Sequence, residues 1–413
     1  MTIPTIDNIR SNKLGYLNES TRKRLSLISF AVWGFTILFV RAGESLDRIP
    51  SDPGDDYFRA AALEPIKSLF LKADNQLIVG IRLLSEIVIL FPFRYQAIVT
   101  NILVIGIWVL TSLLIVYIIQ LESSNKLISY IGGTLFLVAP AMSESQLGNI
   151  GGTRWALYGA VAFAISSPKF RSNHFLVLIG LIILLGITHP LALVLLPGAL
   201  HWLFFASKAE RQKIRIIFSV FVVCFIIQLI ASGILNGSQI GRLNTAVFWP
   251  WEGAGAFWWF NWLFPPLLAC SILCLRILVG SRYSLKNTFA TLLALQSLSI
   301  SIATYALAGI GDRYMIIPFA LSGTSAFIML FDLRSKLRRF FIPILVLTIF
   351  LALVPIVKWF PASWYLTDQP NWRLQIDTAT TRCKINGSGE VLLFFSPDRA
   401  EPYSCQEILS RNS

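Results

Sequence analysis

The sequence predicts an all-α polytopic membrane protein: a bundle of about eleven transmembrane helices. Three observations predict this fold class. Apolar residues make up 55% of the 413 residues and charged residues only 14%, with a mean hydropathy of +0.66. In a typical soluble domain roughly a quarter of all residues are charged. Apolar runs long enough to span recur along the chain, and basic residues collect in alternate loops between them.

The predicted organisation follows the apolar runs. Residues 1–24 are polar and basic, so we expect a cytoplasmic N-terminal segment without a cleavable signal peptide, followed by an uncleaved anchor. Residues 25–359 form the bundle, and residues 360–413 a small C-terminal extracytoplasmic tail. The predicted spans are Leu25 to Val40, Gln96 to Gln120, Lys126 to Ala141, Leu147 to Ser166, Phe175 to Thr188, Pro190 to Ala206, Ile214 to Leu235, Phe264 to Val279, Phe289 to Leu307, Tyr314 to Phe331 and Phe341 to Trp359.

The charge pattern gives the expected orientation. With the N-terminus inside, the cytoplasmic loops hold most of the loop Lys and Arg residues, as the positive-inside rule requires. This explains the net charge of +13 without a nucleic-acid partner. An odd number of spans places the C-terminus outside, where Cys383 and Cys405 can form a disulfide. Dividing residues 175–206 differently would change the count by one and move the tail inside.

The first outer loop, residues 43–95, carries the main candidates for chemistry. Asp55 and Asp56 follow a Pro-Gly turn and open a helix, where free amide groups hold carboxylates in place. Either can act as a general base on an acceptor hydroxyl. Helices are predicted from Tyr57 to Leu71 and from Leu77 to Phe93. We expect both to lie at the membrane surface, because a span at 77–93 would turn the basic loops outward.

Polar and aromatic residues near the outer ends of other spans complete the candidate site. Arg313, Arg154 and Arg82 are candidates for binding a phosphate, since a guanidinium binds oxygens bidentately. Aromatic side chains stack on sugar rings, and polar groups at the same level can bind an acceptor. The candidates for sugar or acceptor binding are Glu144, Asn149, His189, Trp249, Trp251 and Glu252. The sequence has no Walker, HExxH, CxxC, GxSxG or dinucleotide motif.

Four segments resemble the GT-C superfamily of membrane glycosyltransferases. Residues 53–58 (PGDDYF) resemble its acidic loop motif, and Asn75-Gln76-Leu77 with Arg82-Leu83-Leu84 resembles the segment that follows. Asp312-Arg313-Tyr314 resembles an Arg-Tyr element that enters a late span. Residues 372–383 followed by Cys405 resemble a short outer tail.

The resemblance implies a hexosyl- or pentosyltransferase of the cell membrane that makes cell-envelope glycans. The donor would be a polyprenyl-phosphate sugar with its lipid in a groove between spans, and the acceptor a glycan or glycolipid. The transfer would be inverting, with one Asp as base and arginines stabilising the leaving phosphate. No cofactor or metal is expected.

Two other functions remain open from the sequence. An O-antigen-type polysaccharide polymerase or ligase also has many spans, but usually has its largest outer loop late in the chain. A lipid or polysaccharide transporter usually shows inverted repeats and midplane charge pairs, and neither is evident here.

Overall fold

The computed structural model describes residues 19–49, 54–72, 77–123, 125–139, 149–196, 208–232, 256–279, 285–307, 315–333, 371–396 and 399–412. Within these ranges the chain forms fourteen α-helices and one two-stranded sheet. The helices are α1 (Glu19–Ala42), α2 (Gly54–Leu63), α3 (Val79–Val88), α4 (Gln96–Glu122), α5 (Lys126–Leu137), α6 (Thr153–Ser166), α7 (Pro168–Asn173), α8 (Phe175–Gly186), α9 (Lys208–Ser232), α10 (Ala256–Val279), α11 (Leu285–Leu307), α12 (Ile316–Leu333), α13 (Trp372–Asn386) and α14 (Cys405–Arg411). The antiparallel strands are β1 (Glu390–Ser396) and β2 (Arg399–Ser404).

Three helices of the described ranges are long and apolar enough to cross a membrane, judged by length and composition: Ser20–Ala42, Phe93–Glu122 and Glu210–Ala231. Five more apolar helices are shorter. The outer surface is apolar as well; Val40, Leu110, Leu176 and Ile230 are all more than half exposed. The helical fold class is therefore confirmed in its coarse form. The count of about eleven spans stays a prediction, and the segment predicted at 341–359 lies outside the described residues.

Small residues let the central helices approach one another. The bundle core is formed mainly by α4, α5, α6, α11 and α12. On α5, a Cβ added to Gly133 would lie 2.5 Å from Val116 of α4, and one added to Gly132 would lie 2.3 Å from Ile119. Ser112 donates a hydrogen bond to the Gly133 carbonyl at 2.9 Å. Close backbone approach and interhelical hydrogen bonds are the usual means of packing helices in lipid.

Lys169 and Lys213 lie at one end of the bundle, where α4 and α6 end and α5 begins. Glu122 accepts hydrogen bonds from the Ser167 hydroxyl at 2.6 Å and from the Lys169 amide at 2.8 Å. The Lys169 ammonium group donates to the Leu121 carbonyl at 2.6 Å. The first loop lies at the opposite end, between the carboxyl end of α1 and the amino end of α4. This separation agrees with the predicted charge pattern, while the orientation in a membrane stays a prediction.

The first loop contains shorter helices than predicted. The helix expected over Tyr57 to Leu71 runs as α2 from Gly54 to Leu63 and ends before Pro65, whose ring and missing N–H interrupt a helix. Ile66 takes a positive φ of 66°, and a 3₁₀ turn follows at Lys67–Phe70. The helix expected over Leu77 to Phe93 is α3, Val79–Val88. Its ten residues extend about 15 Å, half of a bilayer core, which fits the interfacial interpretation.

Residues 371–412, called the C-terminal unit below, fold against this loop. The unit consists of α13, the β1–β2 hairpin and α14. The expected pairing of Cys383 with Cys405 is present in the structure. Together the loop and the unit enclose a second hydrophobic core, called the loop core below. Its buried members are Ile49, Tyr57, Phe58, Ile78, Ile81, Val88, Phe93, Ala97, Ile150, Trp372, Ile376, Ala379, Cys383, Val391, Leu393, Tyr403, Cys405 and Ile408.

Replacing both Cys383 and Cys405 by Ser should lower the free energy of unfolding of the C-terminal unit by about 3 kcal/mol, because the disulfide restricts the unfolded chain. The double variant should therefore be cut by a protease within residues 371–412 at a lower temperature than the parent protein. The control is Cys270→Ser with Cys274→Ser, since both thiols are free and exposed on α10. Equal cleavage temperatures for the parent and the Cys383/Cys405 variant would contradict the prediction.

Candidate functional site

An apolar cavity of about 300 Å³ lies between α3, α4, α6 and α8. Leu83 of α3 and Leu110 of α4 line it and are 48% and 66% exposed, so the cavity opens sideways onto the apolar surface of the bundle. Its polar side chains are one arginine and three threonines. The lining residues are Gly80, Leu83, Leu84, Ile107, Leu110, Thr111, Leu114, Thr153, Arg154, Leu157, Ala160, Leu181, Leu184 and Thr188. This shape and lining suit a long apolar ligand with one anionic end.

Arg154 enters the cavity from the first turn of α6. The Asn149 side chain accepts a hydrogen bond from the Gly151 amide at 2.7 Å, and Thr153 donates to the Ile150 carbonyl at 2.6 Å. These bonds fix the 3₁₀ turn that leads into the helix. Asn149, predicted to bind sugar, thus caps this turn. The Arg154 charge adds to the positive end of the α6 dipole, so this part of the wall favours an anion.

His189 packs behind this wall in an aromatic cluster. Its ring centroid lies 4.7 Å from that of Trp155 in an edge-to-face arrangement and 5.5 Å from that of Tyr158. The Arg154 guanidinium lies 5.6 Å from the Trp155 ring centroid. His189 is only 4% exposed. The structure therefore joins two predicted site residues through Trp155, with Arg154 in the cavity wall and His189 buried beneath it.

Helix α3 forms one wall of the cavity and is held by polar side chains from the bundle. Gln228 of α9 accepts a hydrogen bond from the Leu77 amide at 3.1 Å and donates to the Leu77 and Gly186 carbonyls at 3.0 and 3.1 Å. The Thr188 hydroxyl accepts from the Gly80 amide at 3.1 Å. A Cβ added to Gly80 would lie 2.8 Å from that hydroxyl oxygen. The amino end of α3 is therefore fixed against the ends of α8 and α9.

Helix α3 also contacts the acidic helix α2. The Arg82 guanidinium lies over the Tyr57 ring, 4.7 Å from its centroid, and both residues are buried. Asp55 and Asp56 occupy the first turn of α2, immediately before Tyr57; their side chains lie outside the description. Since Leu83 and Leu84 line the cavity and Arg82 contacts α2, α3 separates the acidic helix from the cavity by one helix diameter, about 10 Å.

The remaining predicted site residues lie outside the described residues: Glu144, Trp249, Trp251, Glu252 and Arg313. Among the site residues that were not predicted from the sequence, Thr188 and Gln228 hold the amino end of α3. A signal for Gln228 existed, because an amide side chain within an apolar run needs a partner.

Comparison with known proteins gives no relative: no family model matches the chain, and no curated protein matches it. Among the described side chains, no group of three His, Cys, Asp or Glu residues lies close enough together to hold a metal ion. That set does not include the Asp55 and Asp56 side chains.

Replacing Gln228 by Leu should release the amino end of α3, because the change removes three hydrogen bonds to backbone groups. At about 1 kcal/mol for each bond, amide exchange in residues 77–82 should accelerate at least about tenfold. Hydrogen exchange with mass spectrometry on the purified protein measures this. Gln296→Leu is the matched control, since Gln296 is buried in α11 and donates to the Leu195 carbonyl. Unchanged exchange at 77–82 in the Gln228 variant would refute the proposed role of this side chain.

Proposed function

We propose that this protein is an integral membrane glycosyltransferase of the GT-C type. It transfers a sugar from a polyprenyl-phosphate donor to a glycan or lipid acceptor on the extracytoplasmic side. The observation that carries the proposal is the cavity: an apolar space that opens sideways from the bundle and holds one arginine in its wall. A polyprenyl phosphate combines these two properties, a long hydrocarbon and one anionic group.

The cavity supports a lipid-linked donor. The hydrocarbon would enter between the exposed Leu83 and Leu110 side chains, and the rest of the chain would stay among membrane lipids. The phosphate would lie at Arg154 beside the amino end of α6, where the guanidinium binds phosphate oxygens and the helix dipole favours an anion. The Thr188 hydroxyl in the wall accepts from the Gly80 amide and would supply a further donor.

The acidic helix would supply the base. Asp55 or Asp56 removes the proton from an acceptor hydroxyl, and that oxygen attacks the anomeric carbon of the donor. The bond between this carbon and the phosphate oxygen breaks on the opposite side, so the configuration inverts. Polyprenyl phosphate leaves, and Arg154 stabilises the charge that develops on it. The support for this role is the placement of both residues in the first turn of α2, next to the helix that lines the cavity.

The membrane orientation is part of the proposal. The basic loops around Glu122 and Lys169 would face the cytoplasm, and the first loop with the C-terminal unit would face the other side. A disulfide in the C-terminal unit fits an oxidising compartment.

Asp55→Asn and Asp56→Asn test the base. The variant that removes the base should lose transfer by about 10²–10⁴-fold, the usual contribution of general acid–base catalysis. Transfer is measured in membranes supplied with radiolabelled polyprenyl-phosphate sugars. Glu64→Gln is the matched control, because Glu64 belongs to the same loop and forms an exposed pair with Lys67. Retained transfer in both aspartate variants would refute the proposed chemistry.

Binding of polyprenyl phosphate tests the cavity separately from catalysis. Arg154→Gln should weaken binding of polyprenyl phosphate about 10- to 100-fold and leave neutral polyprenol unaffected, because it removes a charge-assisted contact. Ala160→Phe should weaken both lipids, since it fills the cavity. Photo-crosslinking with both probes measures this. Leu176→Phe is the control for Ala160→Phe, because Leu176 is 83% exposed on α8. Equal loss of both lipids in Arg154→Gln would contradict the assigned phosphate contact.

A further inference from the structure

Helix α2 is held from two sides. Tyr57 contacts Arg82 of α3, as described above. Arg59 contacts the C-terminal unit instead: its guanidinium nitrogens lie 3.8 Å from carboxylate oxygens of both Glu401 and Glu407. The same guanidinium lies 5.1 Å from the Tyr403 ring centroid. Positions 57 and 59 are about 200° apart around a helix, so the two contacts approach α2 from opposite sides.

The C-terminal unit has a fixed position on the loop. The Trp372 indole N–H donates to the Phe93 carbonyl at 2.9 Å, and the two rings meet edge to face at 5.1 Å. Arg411, also of the C-terminal unit, has its guanidinium 4.0 Å from the Phe93 ring centroid and donates to the Gln96 side chain at 3.3 Å. Buried aromatic contacts of this kind supply most of the energy of an interface.

Charges of both signs cross the interface and fix its register. Arg94 of the loop lies 3.6 Å from Asp377 of the unit, and Arg373 of the unit lies 3.9 Å from Asp47 of the loop. Burial raises the pKa of Asp47, and the neighbouring Arg373 guanidinium opposes that shift. Exposed ion pairs add little energy one by one, but complementary charges suppress other arrangements of the same two surfaces.

We propose that the C-terminal unit is the positioning element of the acidic helix, and that Arg59 is the positioning residue through which it acts. Arg59 follows Asp55 by four residues, one helical turn. Glu401, Glu407 and Tyr403 hold that turn from one side, while α3 holds the opposite side through Tyr57. The effect on catalysis rests on the proposed function. Without the contacts of Arg59 the cavity still binds the donor, but the carboxylates of α2 are misplaced for catalysis.

The test is a charge exchange with two readouts. Arg59→Glu places three carboxylates together, and Glu401→Arg places two guanidinium groups together. Glu407 is left unchanged because it also pairs with Arg411 at 3.2 Å. Each should speed amide exchange of residues 54–63 by about tenfold through like-charge repulsion. Each should also lower kcat about tenfold, with KM for the lipid donor unchanged, because the interaction acts on positioning alone. Combining the two substitutions places opposite charges at positions 59 and 401 again and should bring both values back toward those of the parent.

Lys67→Glu is the control: it changes the charge on the same loop at a residue whose ion pair, with Glu64, is exposed to solvent. Exchange of α4 and α12 peptides must match the parent, which shows that each variant is folded. Unchanged exchange at 54–63 in both charge variants, or no recovery in the combined variant, would overturn the proposal. Faster exchange with an unchanged kcat would overturn the positioning role. If the parent transfers no sugar from any polyprenyl-phosphate donor, the proposed function fails, while recovery of exchange still supports the hold on α2.

Discussion

The hydrogen bond from Trp372 to the Phe93 carbonyl, set within the loop core, joins two parts of the chain on which the candidate site depends. Phe93 lies at the turn into α4, so the bond fixes the C-terminal unit at the amino end of a central helix. From there the unit reaches α2. Both aromatic residues are almost fully buried, and truncation of such a residue costs about 3–5 kcal/mol. Without this contact α2 loses the side held by the C-terminal unit and keeps only its contact with α3.

Polar side chains of the bundle complete this arrangement. Loop backbone groups that are buried against the bundle lack water and need partners from the protein. Asn101 of α4 donates to the Leu46 carbonyl at 3.0 Å, and Gln228 of α9 binds both backbone groups of Leu77. The start of the loop at Leu46 and its later part at Leu77 are thus each bound by an amide side chain from an apolar helix. A buried amide side chain without a partner destabilises an apolar helix. Asn101 and Gln228 are paired with backbone groups of the loop, which explains why they are buried.

Hydropathy was enough to predict the helical fold class and the position of the first loop, because each depends on local composition. The Cys383–Cys405 pair was expected because these are the two cysteines of the polar C-terminal tail. The carboxyl end of α2 is set by Pro65, which interrupts a helix through a local effect. The cavity could not be predicted, since it arises where four helices meet. The contact between Phe93 and Trp372 could not be predicted either, because the two residues are 279 positions apart in the chain. Periodicity shows which face of a helix is apolar but does not identify the residues that cover it.

The structure also separates two arginines that look equivalent in the sequence. Arg154 projects from a helix amino end into the cavity wall, where the helix dipole adds to its charge. Arg82 is buried on the Tyr57 ring. Its guanidinium has lost its hydration water and is stabilised by the aromatic face instead. A phosphate at the mouth of the cavity would meet the first arginine directly and the second only if α2 moved. Arg154 is therefore the better candidate for the phosphate, and Arg82 holds the acidic helix against α3.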